Sequence, residues 1–308
     1  MRSRAPFPWF GGKNLAAPQI NAALGNVSSY VEPFAGSLAC LLTRDAAPIE
    51  TVNDADAHLA NVWRAIQWHP DETAAAADWP VNEADLSARH AHLVSVRASL
   101  TAKVMADPTY CDTKIAGWWL WGVCQWIGSG WCSGDGPWQA TPDGFVRSGD
   151  GTGVHRQLPH MTGRGMGIHG RSQALEPWFR TLSARLRRVR VACGDWSRVV
   201  TPAVADARRD GSVGILLDPP YPDAWDPDAY AGGGAEVWPD VTAWCLTAPA
   251  SWRIVLCGYE GMWSSPPGWT TQPVRSAGGY QRGTRSGTEV LWCSPSCRRE
   301  PQLFGRAP

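Results

Sequence analysis

The stretch Ile215-Leu216-Leu217-Asp218-Pro219-Pro220-Tyr221 decides both the fold class and the candidate chemistry. Its apolar half is typical of a buried strand in a parallel sheet, and the ligands of open α/β sheets lie just beyond the carboxyl ends of such strands. The two prolines cannot continue a strand and lack a backbone N–H, so they leave carbonyl acceptors beside the Asp218 carboxylate and the Tyr221 ring. This set suits a planar group with an –NH2, such as the exocyclic amine of a nucleobase. For these residues alone, a strand followed by a structural Pro-rich turn is the alternative.

The amino-terminal segment has the pattern of a nucleoside-binding unit. Trp9-Phe10-Gly11-Gly12-Lys13 precedes an amphipathic stretch, 14–24, that predicts a short helix, and the adjacent glycines allow a ligand to approach the backbone closely. Residues 29–32 predict a strand, followed by the turn Pro33-Phe34-Ala35-Gly36-Ser37 and an apolar helical run, 38–42. Strand, tight glycine turn and helix open a Rossmann-like unit. The turn is not the full G-x-G-x-x-G fingerprint that seats a pyrophosphate, which favours a nucleoside ligand without phosphates.

Asp54 is the candidate acid for the ribose of such a ligand. It follows a second predicted strand, 49–52, and lies 18 positions after Gly36, close to the roughly 20 positions expected for an acid that binds ribose hydroxyls. Because the next helix is predicted to begin near Asp56, a helix-capping role for Asp54 is the alternative.

Charge is distributed unevenly along this chain of 308 residues, although its formal net charge is zero. Residues 156–190 contain eight arginines and one acid, Glu176, and the tail from Arg275 onward is also rich in arginine, whereas residues 45–85 are mostly acidic. This asymmetry predicts one basic face that can hold a phosphate backbone. A solvated helix face is the alternative for 180–190 taken alone.

The cysteines and histidines indicate neither a disulfide framework nor a metal site. The nine cysteines include no C-x-x-C pair, and the seven histidines show no ligand motif, so we expect reduced thiols and no metal. The sequence contains no signal peptide and no apolar run of about 18 residues, so we expect a cytoplasmic protein that does not enter a membrane.

In this order, the motifs resemble those of the Dam-like DNA adenine methyltransferases, which methylate the 6-amino group of adenine with S-adenosylmethionine. The resemblance covers roughly residues 7–70 and 190–293. The segments that carry it are Trp9-Phe10-Gly11-Gly12-Lys13, Glu32-Pro33-Phe34-Ala35-Gly36, Asn53-Asp54, Gly194-Asp195-Trp196, Asp218-Pro219-Pro220-Tyr221, Thr284-Arg285 and Thr288-Glu289-Val290-Leu291-Trp292. The last two are similar to the final hairpin of the family.

The resemblance also implies roles for individual residues. Cofactor contacts are implied for Trp9, Lys13, Glu32, Phe34, Gly36, Asp54, Asp195, Trp196 and Asp218. Asp195 and Trp196 are similar to the acid–aromatic pair that meets the adenine of the cofactor. The chain departs from the family pattern at Leu38, near the place of a second loop glycine, and at 257–260, where Cys-Gly-Tyr-Glu replaces an Asn-His-Asp-like segment.

The predicted catalytic residues are Asp218, Pro219, Pro220 and Tyr221. The amino nitrogen of adenine is a poor nucleophile because its lone pair is delocalised into the ring. Hydrogen bonds from its two hydrogens to the Asp218 carboxylate and the Pro219 carbonyl would direct that lone pair toward the methyl group of the cofactor. Alignment and electrostatics would then carry most of the catalysis. Because the amino group is buried in a duplex, the base should flip out and stack on Tyr221.

Residues 71–189 are predicted to form a helical, loop-rich insert that recognises DNA. Helices are expected near 71–79 and 82–105, and the tryptophan-dense segment 117–131 should mainly fill the core, with one or two of Trp126, Trp131 and Trp138 near DNA. Residues 128–170 predict a long basic loop. The predicted DNA contacts are Arg156, Arg164 and Arg171 in the insert and Arg282 and Arg285 near the final hairpin.

The sequence thus predicts an α/β fold, a Rossmann-like methyltransferase sheet that is mostly parallel with an antiparallel hairpin at its end. Residues 1–70 would form the cofactor-binding part, 71–189 the inserted region, and 190–308 the rest of the catalytic domain. We expect a monomeric adenine methyltransferase that acts on double-stranded DNA with S-adenosylmethionine. The alternatives are a cytosine amino-methyltransferase of the same fold and a non-enzymatic DNA-binding module with a degenerate pocket.

Overall fold

Alternating apolar strands and helices build one large sheet with helices on both faces in the computed structural model. The structure describes residues 4–9, 11–126, 131–132, 138–141, 144–147, 174–206, 208, 212–222, 234–274 and 288–298. The strands are β1 Ser29–Glu32, β2 Ile49–Asp54, β3 Trp138–Thr141, β4 Gly144–Arg147, β5 Val189–Cys193, β6 Val213–Leu217, β7 Arg253–Tyr259, β8 Thr270–Pro273 and β9 Glu289–Cys293. The helices are α1 Ala17–Leu24, α2 Ala39–Thr43, α3 Ala57–Trp68, α4 Pro70–Ala77, α5 Glu83–Ala106, α6 Thr113–Val123, α7 Leu175–Leu186, α8 Pro202–Ala205 and α9 Gly234–Thr247.

Within the described residues, seven strands form the main sheet in the order β5-β2-β1-β6-β7-β9-β8. The first five are mutually parallel. From β1 the chain adds strands on one side, through β2 to β5, and then returns to add β6 and β7 on the other side. Such a topological switch point opens a crevice at the carboxyl ends of β1 and β6, where α/β proteins bind their ligands.

The end of the sheet is antiparallel, because β9 runs opposite to both β7 and β8. This arrangement confirms the predicted fold class, a mostly parallel methyltransferase-like sheet that ends in an antiparallel hairpin. Since β9 is reversed, its first residue, Glu289, lies at the edge where the parallel strands end. Glu289 pairs with Tyr259, the last residue of β7.

The helices that follow β2 pack as one layer with α3. Nearly every residue of α3 is buried, and α4, α6 and α7 all lie against it or against each other. The tryptophan-rich helix α6 buries Trp119 and Trp121 in this layer, where Trp119 contacts Phe7 with ring centroids 5.2 Å apart. Two of the five described tryptophans of this segment are therefore buried in the core, and the other three, Trp118, Trp126 and Trp131, are partly buried against it. The predicted long loop 128–170 also contains regular structure, the antiparallel pair β3 and β4.

Arg64, which is buried, and Arg185, which is partly buried, connect this helical layer to the sheet. Arg64 of α3 donates to the carbonyl oxygens of Val191 in β5 at 3.1 Å and of Val104 in α5 at 2.9 Å. Arg185 of α7 forms a two-pronged ion pair with Glu50 of β2, at 2.6 and 2.8 Å. A buried charge is tolerated only when it is paired or hydrogen-bonded in this way. None of the described helices combines the length and apolar character that a membrane span requires.

Candidate active site

A cleft of about 440 Å³ opens at the carboxyl ends of β1, β2 and β6. Its size lies within the roughly 300–1,000 Å³ that is typical of small-ligand sites. The residues that the resemblance assigned to the cofactor all line this cleft: Trp9, Lys13, Glu32, Phe34, Gly36, Asp54, Asp195, Trp196 and Asp218. They come from five separate segments of the chain, and the sheet brings them to one edge.

The turn after β1 forms the floor of the cleft, and its Gly36 contacts Trp9, Asp54 and Trp63. Gly36 has a φ of +46°, and a Cβ added there would lie 2.6 Å from Nε1 of Trp9. Its N–H donates to Oδ2 of Asp54 at 3.0 Å, and its carbonyl accepts from Nε1 of Trp63 at 3.0 Å. The position requires glycine both for its backbone conformation and for the close approach of the Trp9 indole.

Leu38 adopts the left-handed conformation that glycine usually supplies. Its φ is +54° and ψ is +28°, and the side chain is fully buried immediately before α2. In a non-glycine residue this conformation costs about 1–2 kcal/mol. The backbone therefore keeps a shape suited to glycine, the residue that the family usually has near this position, while the leucine side chain fills the core beneath it.

Asp54 ends β2 and fixes the two turns that frame the cleft. Its Oδ2 accepts from Gly36 N, and its Oδ1 accepts from Asp56 N at 2.9 Å. Burial raises the pKa of Asp54 from 3.8 to about 6, although these hydrogen bonds oppose the rise. The cap of α3 is Asp56, whose side chain accepts from the backbone of His58. The structure therefore does not place Asp54 in the helix-capping role that was its alternative.

Glu32 is the second buried acid of the cleft. It is 2% exposed and accepts a hydrogen bond of 2.6 Å from the Tyr30 hydroxyl. Burial raises the pKa of Glu32 from 4.5 to about 7. A carboxyl group that titrates near neutrality favours a ligand that brings positive charge to it.

An aromatic wall closes the cleft beside β5. The rings of Phe34 and Trp196 are stacked, with centroids 5.9 Å apart and planes inclined by 28°. The preceding acid, Asp195, accepts from the backbone N and the hydroxyl of Ser197, which hold it at the start of a 3-10 turn. A flat apolar face next to a fixed carboxylate is a suitable environment for a heteroaromatic ring.

A buried ion network joins the loop before α1 to the Asp-Pro-Pro-Tyr turn. Nζ of Lys13 lies 2.8 Å from Oδ1 of Asp218, 3.2 Å from Oε1 of Glu289 and 2.7 Å from the carbonyl oxygen of Gly11. The hydroxyl of Tyr221 lies 3.3 Å from Lys13 and donates to the same Asp218 oxygen at 3.2 Å. Burial alone would lower the pKa of Lys13, but the attraction of Asp218 and the other acids outweighs it, and the pKa is raised well above 10.5. Lys13 is therefore an ammonium ion.

A comparison with known protein families finds a match in the amino-terminal part of the chain. Residues 9–100 match the model of the D12 class N6 adenine-specific DNA methyltransferases. Over this segment the chain is similar to that family. The match is consistent with the predicted Dam-like family and supports the predicted enzyme class, an adenine-specific DNA methyltransferase. No curated protein matches the chain significantly.

The cleft also contains groups that the motifs did not indicate. Arg97 of α5 lines the cleft and donates to the carbonyl oxygen of Cys132 at 3.0 Å. Trp131 lines the same side and packs at 5.2 Å from Trp126, which itself stacks on His90. Helix α5 looks like a surface helix in sequence, because the contacts that bring Arg97 to the cleft come from residues far along the chain. The described residues hold no cluster of three or more histidine, cysteine or acidic side chains suited to a metal.

Tyr221 is less accessible than a stacking role requires. It is 5% exposed, and its ring meets Trp238 and Tyr259 edge-on with centroids 6.2 and 5.3 Å away. A base could stack on this ring only after the ring or its cover had moved. The arginines predicted to contact DNA, Arg156, Arg164, Arg171, Arg282 and Arg285, lie outside the described residues, as does Thr284.

Proposed function

We propose that this methyltransferase transfers the methyl group of S-adenosylmethionine to the 6-amino group of an adenine flipped out of duplex DNA. One observation carries the proposal: the cofactor-type cleft and the Asp218-Pro219-Pro220 turn form one continuous site, in which Asp218 and Pro220 are themselves part of the cleft lining. A methyl donor in the cleft would therefore lie next to the acceptors that suit an amino group.

The donor set of the cleft fits S-adenosylmethionine. This cofactor carries a sulfonium and an ammonium group, and the cleft is lined by the acids Glu32, Asp54, Asp56, Asp195 and Asp218. Within the described residues, the cleft is also lined by two cationic side chains, Lys13 and Arg97. Opposite charges within a few ångströms in a partly buried site attract strongly. Asp54 would accept from the ribose hydroxyls, and the stacked Phe34 and Trp196 would hold the adenine ring of the cofactor.

When bound, the cofactor supplies an electrophilic methyl group on its sulfonium sulfur. The protein aligns the acceptor: Asp218 and the Pro219 carbonyl would each accept one hydrogen of the adenine amino group, which directs the nitrogen lone pair toward the methyl group. The cofactor would supply the methyl group for a new bond between this nitrogen and the methyl carbon, and its own bond from carbon to sulfur would break. The methylated nitrogen is positive and strongly acidic, so its extra proton leaves without a dedicated base. Alignment and the negative charge of Asp218 are the main contributions of the protein.

DNA contacts are assigned to the inserted region, 71–189, and to the final hairpin. The support is the charge pattern, eight arginines and one acid between 156 and 190, together with the acidic lining of the cleft, which cannot hold phosphates. Phosphate contacts by Lys and Arg supply most of the affinity of proteins for DNA. The cleft would then receive an uncharged base while the arginines hold the backbone.

Methyl transfer to duplex DNA tests the proposal directly. The purified protein, supplied with labelled S-adenosylmethionine and duplex DNA, is expected to yield N6-methyladenine on nucleoside analysis by mass spectrometry. Asp218→Ala should lower the turnover at least about 100-fold, as the loss of one transition-state contact does in other enzymes, and Asp240→Asn, an exposed acid on α9, is the matched control. Label on cytosine, or wild-type turnover by Asp218→Ala, would disprove the proposal.

A further inference from the structure

Glu289 reaches the methyl-transfer site from an unexpected strand. It begins β9, which is separated from β6 by β7, yet its Oε1 lies 3.2 Å from Nζ of Lys13. The contact exists because β9 is antiparallel, so that its first residue lies at the edge where β6 ends. The side chains of Lys13 and Glu289 are 6% and 20% exposed, which makes this a largely buried ion pair that solvent screens little.

Lys13 has more acceptors than it has hydrogens. An ammonium group carries three N–H donors, whereas four oxygens lie within 3.3 Å of Nζ: those of Gly11, Asp218, Glu289 and Tyr221. Asp218 and Glu289 therefore compete for one cation. With both acids ionised, the network of Lys13, Asp218 and Glu289 carries a net charge of −1, and without Glu289 it would be neutral.

We propose that Glu289 is a positioning residue for methyl transfer, which shares the Lys13 ammonium with Asp218 and so leaves uncompensated negative charge at Asp218 for the amino group of the target base. The inference rests on the proposed function, because it gives Asp218 the role of acceptor. Positive charge develops on the adenine nitrogen as it takes the methyl group. A site with a net charge of −1 stabilises that charge better than a neutral pair would.

The role of Glu289 can be measured through the pKa of Asp218, which depends on the groups that face this carboxyl. The groups that face it are Lys13 from the amino-terminal loop, Tyr221 from its own turn, Glu289 from β9, Cys257 from β7 and Cys40 from α2. Burial raises the pKa of Asp218 above 3.8, Lys13 opposes the rise, and Glu289 adds to it. Burial also raises the pKa values of both thiols well above 9.0, which keeps them neutral. Removing the charge of Glu289 should therefore lower the pKa of Asp218.

Glu289→Gln tests the proposal in the full-length enzyme with duplex DNA. It keeps the size of the side chain but removes its charge, and Glu260→Gln, an exposed acid directly after β7, is the matched control. We expect kcat to fall roughly 10–100-fold, as it does when a partner that orients a reactive group is lost, with the KM for S-adenosylmethionine within about twofold. The acid limb of the pH profile of kcat should move to lower pH, because it reports groups in the bound complex.

The outcomes separate this inference from the proposed function. If the wild type methylates adenine and Glu289→Gln matches Glu260→Gln, the inference fails and the proposed function stands. A lower kcat with an unmoved acid limb would show that Glu289 only supports the fold, and would also overturn it. If the wild type does not methylate adenine, both fall. Should Glu289→Gln fail to fold, Glu289→Asp decides, since it keeps the charge on a shorter side chain and should retain the wild-type acid limb with a reduced kcat.

Discussion

Replacing Asp54 with asparagine should weaken cofactor binding without destabilising the protein. The carboxylate accepts from Gly36 N and Asp56 N at 3.0 and 2.9 Å. Asparagine is nearly isosteric and keeps one acceptor oxygen, so one of these two hydrogen bonds should persist, while its amide nitrogen cannot accept the other. A hydrogen bond to a charged group contributes about 1.5–3 kcal/mol. Since about 1.4 kcal/mol is a factor of ten, the Kd for S-adenosylmethionine should rise roughly 10- to 150-fold.

The pH dependence of stability distinguishes the loss of the Asp54 charge from a general destabilisation of the fold. The folded pKa of Asp54 is about 6, above its ordinary value of 3.8. The folded protein therefore binds this proton more tightly than the unfolded chain, and stability falls as the pH rises from about 4 to about 6. At neutral pH the ionised carboxylate destabilises the cofactor-free protein by up to about 3 kcal/mol. Asp54→Asn removes that charge, so its free energy of unfolding at pH 8 should be at least that of the wild type.

Titration calorimetry at several pH values measures both effects. The ratio of the variant Kd to the wild-type Kd should be largest at pH 8 and approach one as the pH falls below about 6, because protonated Asp54 resembles asparagine. Asp56→Asn is the control, since it removes a neighbouring charge from the same cleft while asparagine still caps α3. An unchanged Kd at pH 8 for Asp54→Asn, or an equal loss for Asp56→Asn, would refute a specific ribose contact.

Two further predictions concern the fold and the DNA contact. Arg185→Met leaves the buried Glu50 carboxylate, 4% exposed, without its ion-pair partner and with only the hydrogen bond from the Ala47 N–H. It should lower the free energy of unfolding by about 3–5 kcal/mol. Urea denaturation measures this loss, and a value below about 1 kcal/mol would show that solvent reaches the acid. A triple replacement by alanine in the basic insert should weaken DNA binding, flatten the log–log salt slope by about 0.9 per lost phosphate contact and leave cofactor affinity unchanged. An unchanged slope would place the DNA path elsewhere. The three arginines are Arg156, Arg164 and Arg171.

The parts of the fold that were predictable from sequence are those with local signals. The strand before Asp218 and the glycine turn at Gly36 could be recognised in the sequence. In each case an apolar run, a turn residue and a polar residue at the strand end lie within a few positions of each other. In open α/β sheets such strand ends share one edge. Knowing two of them was therefore enough to predict that Asp54 and Asp218 would approach the same crevice, even though 163 residues separate them.

The contacts that the sequence did not reveal depend on long-range pairing. Glu289 gave no local sign of a role, because its contact with Lys13 follows from the reversed direction of β9 and its place next to β7. Arg97 is similar, since its place on the cleft depends on how α5 packs. Leu38 is a third kind of case, because nothing in its own residue type indicates a φ of +54°. Only a fully buried side chain that fills the core can hold a leucine in that conformation.

In this neutral chain, acidic residues line the cleft and most arginines lie outside it. This distribution of charge constrains how DNA can bind. Lys13 is buried against Asp218 and Glu289, so it has no spare charge for a phosphate. The acids around it repel a DNA backbone while they attract a cationic cofactor. A duplex can therefore approach the cleft only if arginines outside it hold the phosphates, and the part of the DNA that enters must be uncharged. The flipped-out adenine of the proposed reaction would meet that requirement. Because Tyr221 is 5% exposed, entry of the base in the proposed reaction would also have to uncover this ring, so DNA binding would be coupled to completion of the proposed site.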